Sequence, residues 1–270
     1  MTTRIADAHA HIYPSKIADK ATQAIGKFYE IPMNSLGTAE KLIKSGSEIS
    51  VEKYIVCSAA TTAGQVESIN NFIYSEAQNH PEFIPLATMH KDYANYNDEL
   101  ERVKSLGFRG VKFHNDFQKF YIDDEDVFPI YEKCLELDLV ILFHMGDNRY
   151  DFTKPERLCN VIRTFPKLKC QAAHFGGYHD WEDGMISYPK LFSEGLGENL
   201  YFDTSSSLFM LSNDKANAMI KQFGEDRFLF GSDFPMWKHD EELERFNKLD
   251  LTDEQKAKIL YGNFEKLYLL

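Results

Sequence analysis

This 270-residue sequence has little positive charge, no paired cysteines and no long apolar run. Its 30 Lys and Arg residues are outnumbered by 42 Asp and Glu, and a net charge of −12 opposes binding to a phosphate backbone or an anionic membrane surface. Cys57, Cys134, Cys159 and Cys170 lack paired spacing, so reduced thiols are expected. No segment has the roughly 18 apolar residues of a membrane span, and the first residues lack the apolar region of a signal peptide. We therefore predict a cytoplasmic protein that binds neither nucleic acid nor membrane.

Composition and length favour one globular domain over residues 1–270. Hydrophobic residues make up 43% of the chain and charged residues 27%, close to the average of globular proteins. One (β/α)₈ barrel commonly needs about 250 residues. No linker, low-complexity tract or sequence repeat divides the chain.

Eight short runs rich in Val, Ile, Leu and Phe indicate strands that are covered on both faces. Amphipathic stretches with helix signals lie between them. Repeated strand and helix units without a break in composition predict an α/β fold, a single (β/α)₈ TIM barrel. The runs begin at Arg4, Tyr54, Phe83, Phe108, Leu139, Leu168, Leu200 and Arg227.

The first βα connection is longer than the others. Residues 13–53 hold two helical stretches separated by IPMNSLG. This enlarged loop either lies over the barrel mouth, where it shapes access of a substrate, or is a surface excursion without a role.

Histidines gather at the predicted carboxyl ends of strands, the face that carries the chemistry in TIM barrels. His9 and His11 are two apart on one strand and so project to the same face. His144, His174 and Asp233 end three later strands. Three imidazoles and one carboxylate from such a set suit one divalent metal ion, with Zn²⁺ favoured and Mn²⁺, Fe²⁺ or Co²⁺ as competitors.

Several motifs resemble those of the amidohydrolase superfamily, and within it the branch of the aminocarboxymuconate semialdehyde decarboxylase-like proteins. They are DAHAHIY, GFRGVKFH, LFHMGD, AHFGG, FLFGSDFP and ILYGNFEKLY. The resemblance covers nearly the whole chain. It implies that His9, His11, His144 and Asp233 bind the metal, that Asp233 also accepts a proton, and that His174 positions the substrate or transfers a proton. It also implies a homodimer.

The fourth strand bears on the number of metal ions. Lys112 and His114 share a face, and GxKxH resembles the branch with one metal rather than the branch in which a carboxylated lysine bridges two. Lys112 and His114 are candidate substrate-binding residues, as are Arg149, which could bind a substrate carboxylate, Tyr178 and Trp237.

Four functions are compatible with this pattern. The main hypothesis is hydrolysis of a lactone, amide or ester of a small carboxylated molecule by a metal-activated water. The alternative is metal-dependent, non-oxidative decarboxylation of an unsaturated or aromatic acid, which the branch resemblance favours. A TatD-like nuclease is opposed by the negative charge and by the absence of a glutamate in GVKFHND, and a silent metal-binding protein is opposed by the full set of expected ligands.

Overall fold

The computed structural model describes residues 4–33 and 35–270, so Asn34 in the predicted first loop lies outside the described part. Eight parallel strands form one sheet in the order β1 to β8, which confirms the predicted barrel. The strands are β1 (Ile5–His11), β2 (Val51–Cys57), β3 (Phe83–Thr88), β4 (Gly110–Phe113), β5 (Val140–Phe143), β6 (Cys170–Ala172), β7 (Leu200–Asp203) and β8 (Phe228–Leu229).

Helices connect the strands, as the amphipathic stretches predict. The first connection contains two helices, α1 (Ser15–Tyr29) and α2 (Ala39–Ser47). The others are α3 (Val66–Asn79), α4 (Tyr96–Ser105), α5 (Asn115–Gln118), α6 (Phe128–Glu136), α7 (Pro155–Thr164), α8 (Trp181–Ser193), α9 (Asn213–Phe223), α10 (His239–Asn247) and α11 (Asp253–Ala257). No helix in the described part of the chain is long and apolar enough to cross a membrane.

Backbone hydrogen bonds between β1 and the segment after β8 close the barrel. The amide of Ala8 donates to the carbonyl of Phe230 at 2.8 Å, and the amide of His11 donates to that of Phe234 at 2.7 Å. The amide of Asp233 donates in return to the carbonyl of His9 at 2.8 Å. Closure therefore brings the His9 to His11 segment beside Asp233.

Two apolar clusters fill the fold, because successive strand residues point to opposite faces of the sheet. Tyr54 and Val56 belong to the cluster packed against the helices, whereas Ile55 and Cys57 belong to a second cluster. The second cluster also contains Tyr261, Phe264, Leu267 and Tyr268 from the C-terminal segment. Arg4, immediately before β1, stacks over the ring of Tyr261, so the C-terminal segment covers the amino ends of the strands. The carboxyl ends remain available for a site.

Close packing of the strands requires a residue without a side chain at Gly110, the first residue of β4. A Cβ atom there would lie 2.2 Å from the carbonyl oxygen of Val140, and a backbone atom of a central strand cannot move aside cheaply. We expect Gly110→Ala to lower the free energy of unfolding by about 1–3 kcal/mol, measured by urea denaturation.

Gly64→Ala is the matched control, because a Cβ atom at Gly64 meets nothing within 4 Å. The control should leave stability unchanged or raise it by about 0.4–1 kcal/mol. Equal stabilities of the two variants would contradict the packing argument.

Candidate metal centre and substrate cavity

One cavity of about 610 Å³ opens at the carboxyl ends of the strands. Its polar end is lined by His11, His114, His144, His174 and Asp233. These residues come from β1 and from the segments that follow β4, β5, β6 and β8. The structure therefore places these five residues, all selected from the sequence, in one cavity.

His9, His11 and Asp233 lie together at the junction of the first and last strands. The Nε2 atom of His11 is 3.3 Å from Oδ1 of Asp233, and Nε2 of His9 is 3.8 Å from the same oxygen. The two imidazole rings are 5.0 Å apart between centroids. Both Nε2 atoms thus approach one carboxylate oxygen.

The orientation of His9 is set by hydrogen bonds to its other ring nitrogen. Nδ1 of His9 lies 3.1 Å from Oδ2 of Asp203 and 3.0 Å from Oγ of Ser205. A carboxylate only accepts, so Nδ1 carries the hydrogen and Nε2 presents its lone pair. The Nζ atom of Lys112 is 3.0 Å from that Nε2. A cation bound to His9 would therefore compete with the Lys112 ammonium for the lone pair.

His144 and His174 form a second pair on the opposite side of the site. The backbone carbonyl of Ser205 lies 3.1 Å from Nδ1 of His174, so this nitrogen donates and Nε2 of His174 accepts. Nδ1 of His144, at 3.1 Å, is the donor to that Nε2. The Nε2 atom of His144 lies 3.2 Å from Oδ2 of Asp116 and 3.4 Å from the hydroxyl of Tyr29.

Two of these residues have left-handed backbone conformations. The φ angle is +61° at His174 and +56° at Asp233. Such angles cost energy for residues other than glycine and cluster at functional sites. The surrounding hydrogen bonds, including that from the His174 amide to Asp203 at 3.0 Å, hold His174 in this conformation.

Asp233 is held by hydrogen bonds on the side facing α10. Oγ of Ser206 donates to Oδ2 of Asp233 at 2.6 Å, and Nε1 of Trp237 donates to Oγ of Ser206 at 2.9 Å. Trp237 was selected as a substrate-binding candidate, but its described contacts orient the carboxylate and it does not line the cavity.

His114 is stacked in an aromatic layer at the cavity wall. Its ring lies 3.9 Å from that of His144 and 3.8 Å from that of Phe117, both nearly parallel. The hydroxyl of Tyr29, the last residue of α1, is 2.9 Å from Nε2 of His114. Buried Nδ1 of His114 has no hydrogen-bond partner among the described residues. The sequence does not identify Tyr29 as a site residue, because nothing in its local pattern separates it from the rest of the helix.

The remaining candidates divide between the cavity and its surroundings. Tyr178 lines the cavity, 5.6 Å from His174 between ring centroids. Lys112 is buried beneath it, against His9. Arg149 pairs with the Asp147 carboxylate through Nη2, at 2.6 Å, and Nε, at 2.9 Å, and stacks over Phe28. Arg149 and Lys112 do not line the cavity, so the structure offers neither to a ligand there.

Burial sets the protonation of the site. It lowers the pKa of His9, assisted by the Lys112 charge, and lowers that of His174 to about 3. Burial alone would raise the pKa of Asp233, but the hydrogen bond to His11 and the neighbouring imidazoles lower it below its usual value. Burial raises the pKa of Tyr178 to about 12. At neutral pH the site therefore holds neutral His9 and His174, an ionised Asp233 and a protonated Tyr178.

These donors fit a divalent cation. Hydrogen bonds at Nδ1 of His9 and His144 leave Nε2 as the ring nitrogen that could bind an ion in place of its present neighbours, Lys112 and Asp116, and Asp233 supplies a carboxylate. Partners of this kind fix the tautomer of metal-binding histidines. The described part of the chain contains three compact groups of donors, and within each group the donor atoms lie within 4.8 Å of one another. The groups are His9, His11 and Cys57; His9, His174 and Asp203; and His114, Asp116 and His144. The four predicted ligands do not form such a group, so their joint role stays a prediction.

His114, Asp116 and His144 are the least suitable of the three groups. The two imidazole rings are almost parallel, at 9°. Because each lone pair lies in its own ring plane, parallel stacked rings cannot both direct a nitrogen at one ion.

An unforeseen buried network supports the site from below. Oδ1 of Asp7 accepts from the amides of His9 and Ser232, both at 3.0 Å. Oδ2 of Asp7 accepts from Oγ of Ser232 at 2.6 Å and from His239 at 2.9 Å. His239 is buried, because the helix α10 turns this side chain inward to Asp7 and to Ser45. Asp7 thus connects the start of the HxH motif to the residue before Asp233.

The fold and the site define a TIM barrel with a histidine and aspartate centre at its carboxyl face, and the chain belongs to the family described as Amidohydrolase, which matches residues 6–270. The solved 5-carboxyvanillate decarboxylase of Sphingomonas paucimobilis is similar, with a TM-score of 0.76, 14% identity and 99% of each chain covered.

Two further solved structures have the same fold. A dihydroxybenzoic acid decarboxylase of a Polaromonas species, with bound manganese and the inhibitor 2-nitroresorcinol, has a TM-score of 0.76 and 18% identity, with 99% of this chain and 97% of that chain covered. A probable 2-pyrone-4,6-dicarboxylic acid hydrolase of Acinetobacter baumannii, with bound citric acid, has a TM-score of 0.72 and 16% identity over 100% of both chains. At these identities the likeness concerns the fold.

The Asp7 network generates a stability prediction. Asp7→Ala leaves buried donors of Ser232 and His239 without an acceptor, and each such loss costs about 1–3 kcal/mol. We expect the free energy of unfolding to fall by at least about 3 kcal/mol in urea denaturation. Asp92→Ala, at a largely exposed carboxylate, is the control and should change it by less than about 0.5 kcal/mol. Similar stabilities for both variants would contradict the role of Asp7 in connecting the HxH motif to the segment before Asp233.

Proposed function

We propose that this protein is a metal-dependent, non-oxidative decarboxylase of an unsaturated or aromatic acid. The observation that carries the proposal is a single cavity whose polar end joins imidazoles to one carboxylate, while aromatic and aliphatic side chains form most of its wall. The two decarboxylases with the same fold that are described above support it. Hydrolysis, the main hypothesis from the sequence, becomes the second candidate.

One divalent ion fits the donor set, and we assign it to His9, His11, His144 and Asp233. The manganese bound to the Polaromonas decarboxylase makes Mn²⁺ as strong a candidate as the Zn²⁺ favoured from the sequence. Such an ion would orient the substrate and stabilise negative charge that develops during the reaction.

The wall of the cavity favours loss of carbon dioxide. The rings of Tyr29, Phe117 and Tyr178 form an aromatic surface beside the imidazoles, where a planar acid can stack. A carboxylate taken from water into such surroundings loses hydration, and this charge is removed when neutral carbon dioxide departs and a proton is taken up in its place. The carbon–carbon bond breaks, its electron pair stays on the ring carbon, and that carbon takes up one proton.

We assign delivery of that proton to Asp233 and positioning of the site to His174. Nε2 of His174 accepts from His144, so in this arrangement it has no hydrogen to give. Asp233 faces the cavity, and its carboxylate can accept a proton from solvent and pass it to carbon. Ser206 fixes the other oxygen of Asp233, which keeps the carboxylate in one orientation.

Hydrolysis of a lactone or ester remains the second candidate because the ionised Asp233 could equally accept a proton from an attacking water. The pyrone-dicarboxylic acid hydrolase with the same fold supports this alternative.

Metal affinity should depend on Asp203, although this residue is not a proposed ligand. Asp203→Asn exchanges the carboxylate at Nδ1 of His9 for an amide, and loss of such a partner typically weakens metal binding about 10–100-fold. The measurement is competitive titration of Zn²⁺ or Mn²⁺ against a chelator. Asp214→Asn, on the exposed start of α9, is the control. Unchanged affinity in Asp203→Asn, or no stoichiometric binding by the parent protein, would refute the assigned centre.

Decarboxylation is tested directly with metal-loaded protein and a panel of hydroxybenzoates and unsaturated acids. We expect release of carbon dioxide and, in deuterium oxide, one deuterium at the vacated carbon. Asp233→Asn should lower the rate at least about 100-fold, because a general acid or base contributes about 10²–10⁴. Asp240→Asn, an exposed substitution on α10, should retain the parent rate.

A lactone and ester panel separates the two candidates. Turnover of a lactone without carbon dioxide release from any acid would replace decarboxylation by hydrolysis. Full activity of Asp233→Asn would contradict the assigned proton route.

A further inference from the structure

The outer half of the cavity is built by two helices that turn apolar stripes toward each other. On α1 the lining residues are Ile17, Ala21, Ala24, Ile25 and Phe28, spaced as one face of a helix. Ile69 and Phe72 contribute apolar side chains from α3, beside the hydroxyl of Ser68. The enlarged first βα connection thus forms a wall of the cavity instead of a detached surface excursion.

This apolar stripe explains why a large apolar side chain of α1 is exposed to solvent. Ile17 is 51% exposed, although another face of α1, with Ala18, Thr22 and Gly26, is buried. An apolar residue that faces a cavity rather than the core remains accessible until a ligand covers it. The stripe is continuous with the polar end through Phe28 and Tyr29, so one ligand can contact both.

The described lining residues include no lysine or arginine. The guanidinium of Arg149 is paired with Asp147, and the ammonium of Lys112 contacts His9 behind the lining. A second carboxylate on a ligand would therefore meet apolar side chains in the outer half without gaining a cationic partner there.

We propose that the cavity selects monocarboxylic acids that carry an extended apolar substituent, and that it discriminates against dicarboxylates. This inference rests on the proposed function for the orientation of the bound acid, whose carboxylate lies at the imidazole end of the cavity. The substituent then lies between α1 and α3 and covers Ile17, Ile25 and Phe72. The cavity volume of about 610 Å³ falls within the range of about 300–1,000 Å³ common for sites of larger organic ligands.

Binding of three matched acids to the metal-loaded protein tests the selectivity. The ligands are 2-hydroxybenzoate, 4-butyl-2-hydroxybenzoate and 2-hydroxyterephthalate, which differ only at the position opposite the carboxylate. Isothermal titration calorimetry should give at least tenfold tighter binding for the butyl compound than for the parent acid. The dicarboxylate should bind at least tenfold more weakly than the parent acid. Equal affinities, or a preference for the dicarboxylate, would overturn the proposal.

Ile17→Arg tests the location of the outer half. This substitution places a cation in the apolar stripe, so it should strengthen binding of 2-hydroxyterephthalate at least threefold and weaken binding of the butyl acid. Ile186→Arg is the matched control, because Ile186 is 71% exposed on α8 and does not line the cavity. Both positions are exposed, and unchanged thermal unfolding would show that both variants fold. Identical binding by the two variants would contradict the location.

The outcomes separate this inference from the proposed function. Discrimination among the acids without carbon dioxide release would retain the cavity assignment and reject decarboxylation. Release of carbon dioxide from the dicarboxylate as readily as from the butyl acid would support decarboxylation and reject the cavity assignment. A change of molecular mass in solution for Ile17→Arg, with ligand selectivity intact, would make the stripe an interface between copies and overturn the inference.

Discussion

The junction of β1 with the segment after β8 is the constraint on which the site depends. Asp7 accepts hydrogen bonds from both sides of this junction, at the amides of His9 and Ser232. Backbone hydrogen bonds between His9 and Asp233 continue the same connection. The two ends of the barrel sheet therefore meet where two histidines face an aspartate, and any loosening of the closure would separate them.

Buried acceptors next to the imidazoles convert this closure into a chemical site. Asp203 fixes the tautomer of His9, while the Ser205 carbonyl fixes His174 and through it His144. The Nε2 atoms of His9 and His174 are thereby left as acceptors, next to Lys112 and His144 respectively. The protein thus keeps the neutral imidazoles of His9 and His174 beside an ionised Asp233. Burial alone would lower the pKa of His11, but Cys57 and the contact with Asp233 raise it to about 9.

Charge is distributed unequally between the two halves of the cavity. The imidazoles and the carboxylate of Asp233 gather at the strand ends, whereas α1 and α3 contribute mainly aliphatic and aromatic side chains, with Ser68 as a polar exception. The cations nearest the site are engaged elsewhere, Lys112 by His9 and Arg149 by Asp147. In the proposed function, the barrel therefore orients the acid, and the first βα connection selects its substituent.

The sequence by itself determined the barrel, the strands and the strand-end positions of His9, His11, His144, His174 and Asp233. It could do so because strand periodicity and the short connections act locally, and parallel strands in a barrel bring their carboxyl ends to one face. Only the tertiary structure decided which side chains meet there. Tyr29 enters from a helix far along the chain from His114, His239 turns inward to Asp7, and Arg149 is taken up by Asp147 and Phe28. Those choices depend on packing between distant segments, about which local residue patterns carry no information.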